Sequence, residues 1–237
     1  MNCGATWLGT ARLFDFLRMA RLAYFIVFYA FLLTFIPTGL EAELSDQVKQ
    51  LIQRARSQVG QTLQYDGSYR SLPYPGGDVP LTKGVCTDVV IRAYRGVGVD
   101  LQKVVYEDIS AHFAEYPSKK LWGLKKPDPN IDHRRVPNLQ KLFERHGFAF
   151  GADLAKYPAQ PGDLLTWELP GNLPHIGLVS DQKASDGTEY LVIHNIGRGA
   201  KEEAVIGRFK LTGHYRYTPW LNPKGPPNNR SRPTNLP

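Results

Sequence analysis

The chain is 237 residues long, 42% hydrophobic, and carries a formal net charge of +7 with only two cysteines. That composition allows one substantial core and one domain, and it excludes a scaffold built on disulfides. The basic residues are scattered with no nucleic-acid module among them, so no nucleic acid is expected; the charge suits a cell-wall polymer or peripheral contact with a lipid surface.

Leu22 to Ile36 is an almost uninterrupted apolar run, preceded by Arg12, Arg18 and Arg21 and followed by Pro37 and, a little later, Ala42. A positive start, a short apolar stretch and a small-residue exit form a secretory signal, so residues 1–42 are read as an export leader. The run is short for a membrane span, which needs about 20 apolar residues, although an uncleaved anchor is the competing reading. Met19-Ala20-Arg21 would serve as a normal start for such a signal. Cys3 lies too far before the apolar run to be a lipobox cysteine. The expected location is the periplasm or the exterior.

Ser45 is the expected N-cap of a first helix, with Val48, Leu51, Ile52 and Ala55 at helical spacing and a fade near Gly60. Residues 65–84 are turn-rich, and a loop of that length is usually either functional or a misread element. Cys86 to Arg95 reads as a second helix, stopped by Gly96-Val97-Gly98. Leu101–Tyr116 and Pro137–His146 read as two more, with a charged connector from Pro127 to Arg135. After Gly147 the segments are short and β-rich: Asp163–Glu168, His175–Asp181, Glu189–Asn195, Ala204–Phe209 and His214–Tyr217. Helices followed by an antiparallel meander give an α+β domain over residues 43–218. Residues 219–237, rich in Pro and Arg, are expected to be a disordered tail.

Once the leader is set aside, Cys86 is the sole cysteine, at the head of a helix in an oxidising compartment. A helix N-terminus favours thiolate and offers backbone N–H groups to an oxyanion. His175 and His194, on two later strands, are the expected partners, with an imidazolium holding the thiolate. A small core cysteine and a structural histidine are the plainer alternatives. If Asp186-Gly187 makes a two-residue turn, His194 faces Val179. The two histidines then share a face but stand about two pairs apart, and a direct bond needs a bulge or a looser loop. Asn195 falls on the other face. A zinc shell drawn from Cys86, His175, His194 and His214 is a competing use, without short ligand spacing. No G-x-S-x-G elbow is present for a serine hydrolase. In Asp132-His133-Arg134-Arg135, the paired arginines Arg134 and Arg135 suit carboxylates, or else a salt-bridge network with Asp128 and Asp132.

The order Val85-Cys86-Thr87-Asp88, Pro161-Gly162-Asp163-Leu164, His175-Ile176-Gly177-Leu178 and Ile193-His194 resembles the NlpC-type cell-wall cysteine peptidases, which are papain-like hydrolases. Val85 stands where that family carries Asp. Gly84 to Arg95, Asn130 to Arg135, His194-Asn195-Ile196-Gly197 and Gly213 to Arg216 also resemble a family of exported bacterial proteins known as a domain of unknown function. The peptidase resemblance implies a papain-like α+β fold with the nucleophile helix packed on a small antiparallel sheet. It implies Cys86 as nucleophile, His175 as base and His194 as orienting residue, with Tyr65 or Tyr74 helping to form the site. Cell-wall peptide would be the substrate of a monomeric enzyme needing no cofactor. A thiol acyltransferase on lipid and a non-catalytic wall-binding module are the alternatives.

Overall fold

The computed structural model describes residues 44–221. The leader and most of the expected tail lie outside those residues. Residues 44–221 hold a buried apolar core that runs from Leu51 to Tyr217.

Helix α1 spans Asp46–Arg56, opened by the expected Ser45, whose hydroxyl accepts from the Val48 N–H; acidic Asp46 and basic Arg54 and Arg56 suit its two ends. Leu51, Ile52 and Ala55 face the core. The turn-rich loop is bracketed by β1 (Gln64–Tyr65) and β2 (Lys83–Gly84), which pair in parallel. Polar side chains tie this loop down. Gln102 accepts from the Gly77 N–H and donates to the Pro73 and Pro129 carbonyls, while Asn130 accepts from Leu72.

Helix α2, Cys86–Arg95, is buried over nearly its whole first half. Its cap, Val85, has no side-chain acceptor of its own. Instead the Asp88 carboxylate reaches back to accept the Val85 N–H at 2.7 Å. Helix α3 runs Leu101–Ala111, five residues shorter than expected. Phe113–Glu115 form a 3-10 turn, and the sequence breaks at Pro117 before a short α4, Ser118–Trp122. The connector holds another 3-10 turn at Asp132–Arg134 and leads to α5, Val136–His146, with proline in its first turn.

Six strands follow: β3 (Phe148–Ala149), β4 (Leu164–Leu169), β5 (Leu173–Lys183), β6 (Tyr190–Asn195), β7 (Ala200–Glu203) and β8 (Lys210–Arg216). They form one antiparallel sheet in the order β3-β8-β4-β5-β6-β7. Leu164, Ile176, Leu178, Ile193 and Tyr215 join the helices in the main core, while Leu165, Trp167, Val179, Val192 and Val205 form a second cluster. The α+β class holds.

The strand expected at Ala204–Phe209 is not one. The chain pairs earlier, at Ala200–Glu203, and Val205 and Ile206 then fold in a turn against Trp167, whose indole N–H donates to the Ile206 carbonyl at 3.2 Å. Residues of high β-propensity are used there as a cover for the second cluster, because packing overrides a preference of that size.

The strand β5 carries a bulge between Val179 and Lys183. Ser180, fully buried inside it, donates to Glu202 and accepts from the Gln182 N–H, and the Arg56 guanidinium binds Ser180, Asp181 and Glu202 together. Near the Asp186-Gly187 turn, Lys183 pairs with Tyr190, as a tight turn requires. Beyond the bulge Val179 pairs with Val192 and Leu178 with Ile193, a slip of two residues.

Candidate active site

The slip decides the geometry of the two histidines. Continuing the register beyond Leu178–Ile193 brings His194 opposite Gly177 rather than Val179, so His175 becomes its diagonal neighbour. His175 Nε2 and His194 Nδ1 are 2.8 Å apart, with the rings edge to face at 5.0 Å between centroids. Gly177 is what permits this approach. A Cβ there would meet Val192 Cγ1 at 2.4 Å and His194 Cβ at 3.1 Å. His194 Nε2 in turn lies 3.2 Å from Glu203 Oε1 on β7. A carboxylate, an imidazole and a second imidazole therefore stand in line across three strands. Glu203 had no signal in the sequence, since its strand was expected to begin at residue 204.

His175 and Cys86 line one cavity of about 400 Å³. Its rim includes Leu169, Leu173 and Pro174 from the β4–β5 hairpin, which turns through Gly171 and Asn172, both left-handed. By strand alternation His175 lies on the Val179 side of the sheet and Ile176 on the helix side. Backbone N–H groups of Ile176, Thr87 and Cys86 itself are directed at the Cys86 sulfur. Nε2 of His175 is held by His194, which leaves its Nδ1 outside that bond.

Burial dominates the electrostatics. It pushes the Cys86 thiol up to about 11, and the N–H groups around the sulfur only partly offset it. It also pulls His175 down to about 3, assisted by His194. His194 is lowered by burial as well, with Glu203 acting in the opposite sense. Both shifts favour a neutral thiol and a neutral imidazole. They run against the expected thiolate–imidazolium pair, because the N–H groups at the helix start only partly offset the loss of hydration around a nearly inaccessible sulfur.

Tyr65 lines the same cavity and its hydroxyl hydrogen-bonds to Cys86; burial, then the neighbouring Cys86 and Asp88, push the phenol up to about 12. Tyr74 does not come to the site, since its ring packs edge-on against Tyr106, 4.9 Å away. Between the two tyrosines the structure chooses Tyr65.

The paired arginines separate. Arg134 lines the cavity, but its guanidinium is committed inward. Nε and Nη2 each lie 2.9 Å from the Asp88 carboxylate, and the remaining N–H groups donate to the Ser68 and Asp66 carbonyls. Its role is to neutralise Asp88 beside the thiol, and the carboxylate-binding role expected of Arg134 is corrected accordingly. Arg135 stacks at 4.1 Å on the Trp122 ring, with Nη1 on Asp132 at 3.0 Å, and both Arg135 and Trp122 line the cavity. Of the two arginines, Arg135 is the one whose guanidinium is not committed to Asp88.

Asn195 points the other way, as parity implied. Its amide donates to the Gly84 carbonyl and accepts from the Gly197 N–H, joining β6 to β2. His214 is not grouped with Cys86. It binds Asp163 at 2.7 Å, together with Arg216, and that buried carboxylate also caps the Gln160 N–H in the Pro161-Gly162-Asp163 turn.

Residues 52–217 match the family described as a domain of unknown function, DUF1287. A relative from Escherichia coli K12, described as uncharacterized protein YijF, is 56% identical over 163 residues, covering 69% of this chain and 78% of the relative. The matched span takes in Tyr65, Cys86, Arg135, His175, His194 and Glu203, and by that match the chain belongs to the DUF1287 family.

Proposed function

We propose that this protein is an exported thiol hydrolase of papain-like, NlpC-type architecture, an amidase or peptidase that cuts amide bonds of cell-wall peptides. The observation that carries the reading is the 2.8 Å bond between His175 and His194 at a cavity that also holds Cys86. The four motifs of the peptidase resemblance support it. The apolar leader supports the periplasm or exterior as the place of action, and the basic charge supports an anionic wall as partner. Nothing in the mechanism needs a cofactor or a second copy of the chain.

In this reading the substrate carbonyl enters beside Cys86. His175 takes the thiol proton as the sulfur attacks, and the developing oxyanion meets the backbone N–H at the start of α2 and the Tyr65 hydroxyl. His194, backed by Glu203, stabilises the imidazolium that forms. His175 returns the proton to the leaving amine, and a water activated by His175 then hydrolyses the thioester, releasing the acid and restoring the thiol. General acid–base catalysis of this kind contributes about 10²–10⁴-fold. Because the resting dyad is neutral, its activation coincides with substrate entry, which also protects the sulfur from oxidation while the site is empty.

The apolar walls of the cavity, Ile131, Val136, Leu169 and Leu173 among them, favour one second reading: the same thiol moving an acyl group on or from a lipid. Incubating the protein with whole peptidoglycan and identifying the released fragments decides between them. New amine and carboxyl ends in equal amounts support the hydrolase. Wall binding without release points to a binding module, and turnover of acyl-lipid alone to the transferase.

A further inference from the structure

Beside the cavity the chain reads Lys119-Lys120-Leu121-Trp122-Gly123-Leu124-Lys125-Lys126. The short helix α4 ends in a Schellman arrangement: Gly123, at φ 64°, donates to the Lys119 carbonyl and Leu124 to that of Ser118, so the chain reverses sharply. The consequence is a protruding tip. All four lysines are exposed, and Leu121 and Trp122 are 52% and 38% exposed at positions where a core would hide them. Leu173, on the cavity rim, is 60% exposed.

The charge of the tip is not neutralised locally. Among the described residues none of the four lysines has an ion-pair partner. Nearby acids are engaged elsewhere: Glu115 by Arg145, Asp132 by Arg135, and Asp128 by Tyr69 and Asn130. Exposed leucine and tryptophan flanked on both sides by lysine pairs match a bilayer interface. There the ring and the aliphatic tip enter the headgroup region while the ammonium groups meet anionic lipid. A soluble polyanion would use the lysines but give no reason to expose Leu121 and Trp122.

We propose that residues 119–126 dock the protein on the surface of an anionic phospholipid bilayer, with Trp122 and Leu121 entering the interface. Because Trp122 also lines the cavity and carries Arg135 on its ring, docking brings the mouth of the cavity to the lipid surface. The proposal does not depend on the thiol chemistry.

The test is co-sedimentation with vesicles of phosphatidylcholine alone or mixed equally with phosphatidylglycerol, alongside tryptophan emission. The chain beginning at Leu44, which holds its own core, avoids any contribution from the apolar leader. Binding is expected only with the anionic vesicles, with a blue shift that disappears in Trp122→Phe. Each lysine near such a surface is worth about a fivefold change in affinity. The combined Lys119→Glu, Lys120→Glu, Lys125→Glu and Lys126→Glu protein should therefore bind at least about a hundredfold more weakly. Leu121→Asn, a single exposed change, should weaken binding without altering the fold, and Cys86→Ser should bind as the wild type does. Unchanged binding after charge reversal, salt-sensitive binding without a Trp122 shift, or binding to purified wall polymer but not to vesicles would each overturn the proposal.

Discussion

Gly177 faces His194 across the β5–β6 pair so closely that a single added methyl has no room. The approach of the two histidines depends on that missing side chain as well as on the bulge held by Ser180. Gly177→Ala should push β5 away from β6, costing about 1–3 kcal/mol as overpacking does. It should also lengthen the His175–His194 bond. Thermal unfolding reads the first effect, and imidazole nitrogen shifts in NMR read the second. An alanine variant with wild-type melting and unchanged shifts would show that the strand spacing does not control the pair.

The two arginines should respond in opposite ways. Arg134→Ala leaves Asp88 buried without its partner, and breaking such a pair typically costs about 3–5 kcal/mol. Much of the protein should unfold at lower temperature. Arg135→Ala removes the cation–π contact and the ion pair to buried Asp132, whose carboxylate keeps the Asp128 N–H and the Asn138 amide as donors; it should cost less stability than Arg134→Ala while raising KM for substrates with a free carboxylate. Equal loss of stability in both would contradict the division of roles.

Tyr65 and Tyr74 make a similar contrast. With its phenol pushed up to about 12, Tyr65 remains a protonated donor at any working pH. Tyr65→Phe should lower kcat by roughly tenfold or more, in line with the loss of one oxyanion donor. Tyr74→Phe keeps the ring against Tyr106 and should leave kcat unchanged.

Acid should destabilise the fold before the carboxylates titrate. Burial holds His175 near 3 and, assisted by Arg134, His133 near 4. Unfolded, each would take up a proton near its usual value of about 6.5. Between pH 6.5 and 4 the unfolded state binds more protons, so stability falls as pH falls through this window. The loss is on the order of 2 kcal/mol per histidine by pH 5. Melting temperature followed from pH 7.5 to 5 should decline, and His133→Asn should flatten the slope. A flat profile in the wild type would contradict the buried neutral histidines.

Much of this architecture is legible in the sequence. Ser45, the Gly96–Gly98 stop and the helical spacing of Val48, Leu51, Ile52 and Ala55 mark the helices. The alternation around His175 and His194 placed both on one face. The two-residue slip was not legible, because it depends on Ser180 meeting Glu202 and Arg56, residues far apart in the sequence. Glu203 was missed for the same reason: its strand is short and polar, and Val205 and Ile206 after it carry the stronger β signal while serving as a cover for Trp167. Pairing of charges within the domain also escaped local reading. Nothing near Arg134 in sequence indicates that its partner is Asp88, 46 positions earlier.

In the proposed mechanism Cys86 forms a covalent acyl intermediate. The most direct test is rapid acid quenching of the protein during turnover of a cell-wall peptide, followed by mass analysis of the peptide that contains Cys86. Added mass equal to the acyl fragment is expected on Cys86, with no adduct and no turnover in Cys86→Ser and no change in its melting beyond a few degrees. Sustained turnover by Cys86→Ser, with no adduct on the wild-type thiol, would contradict it.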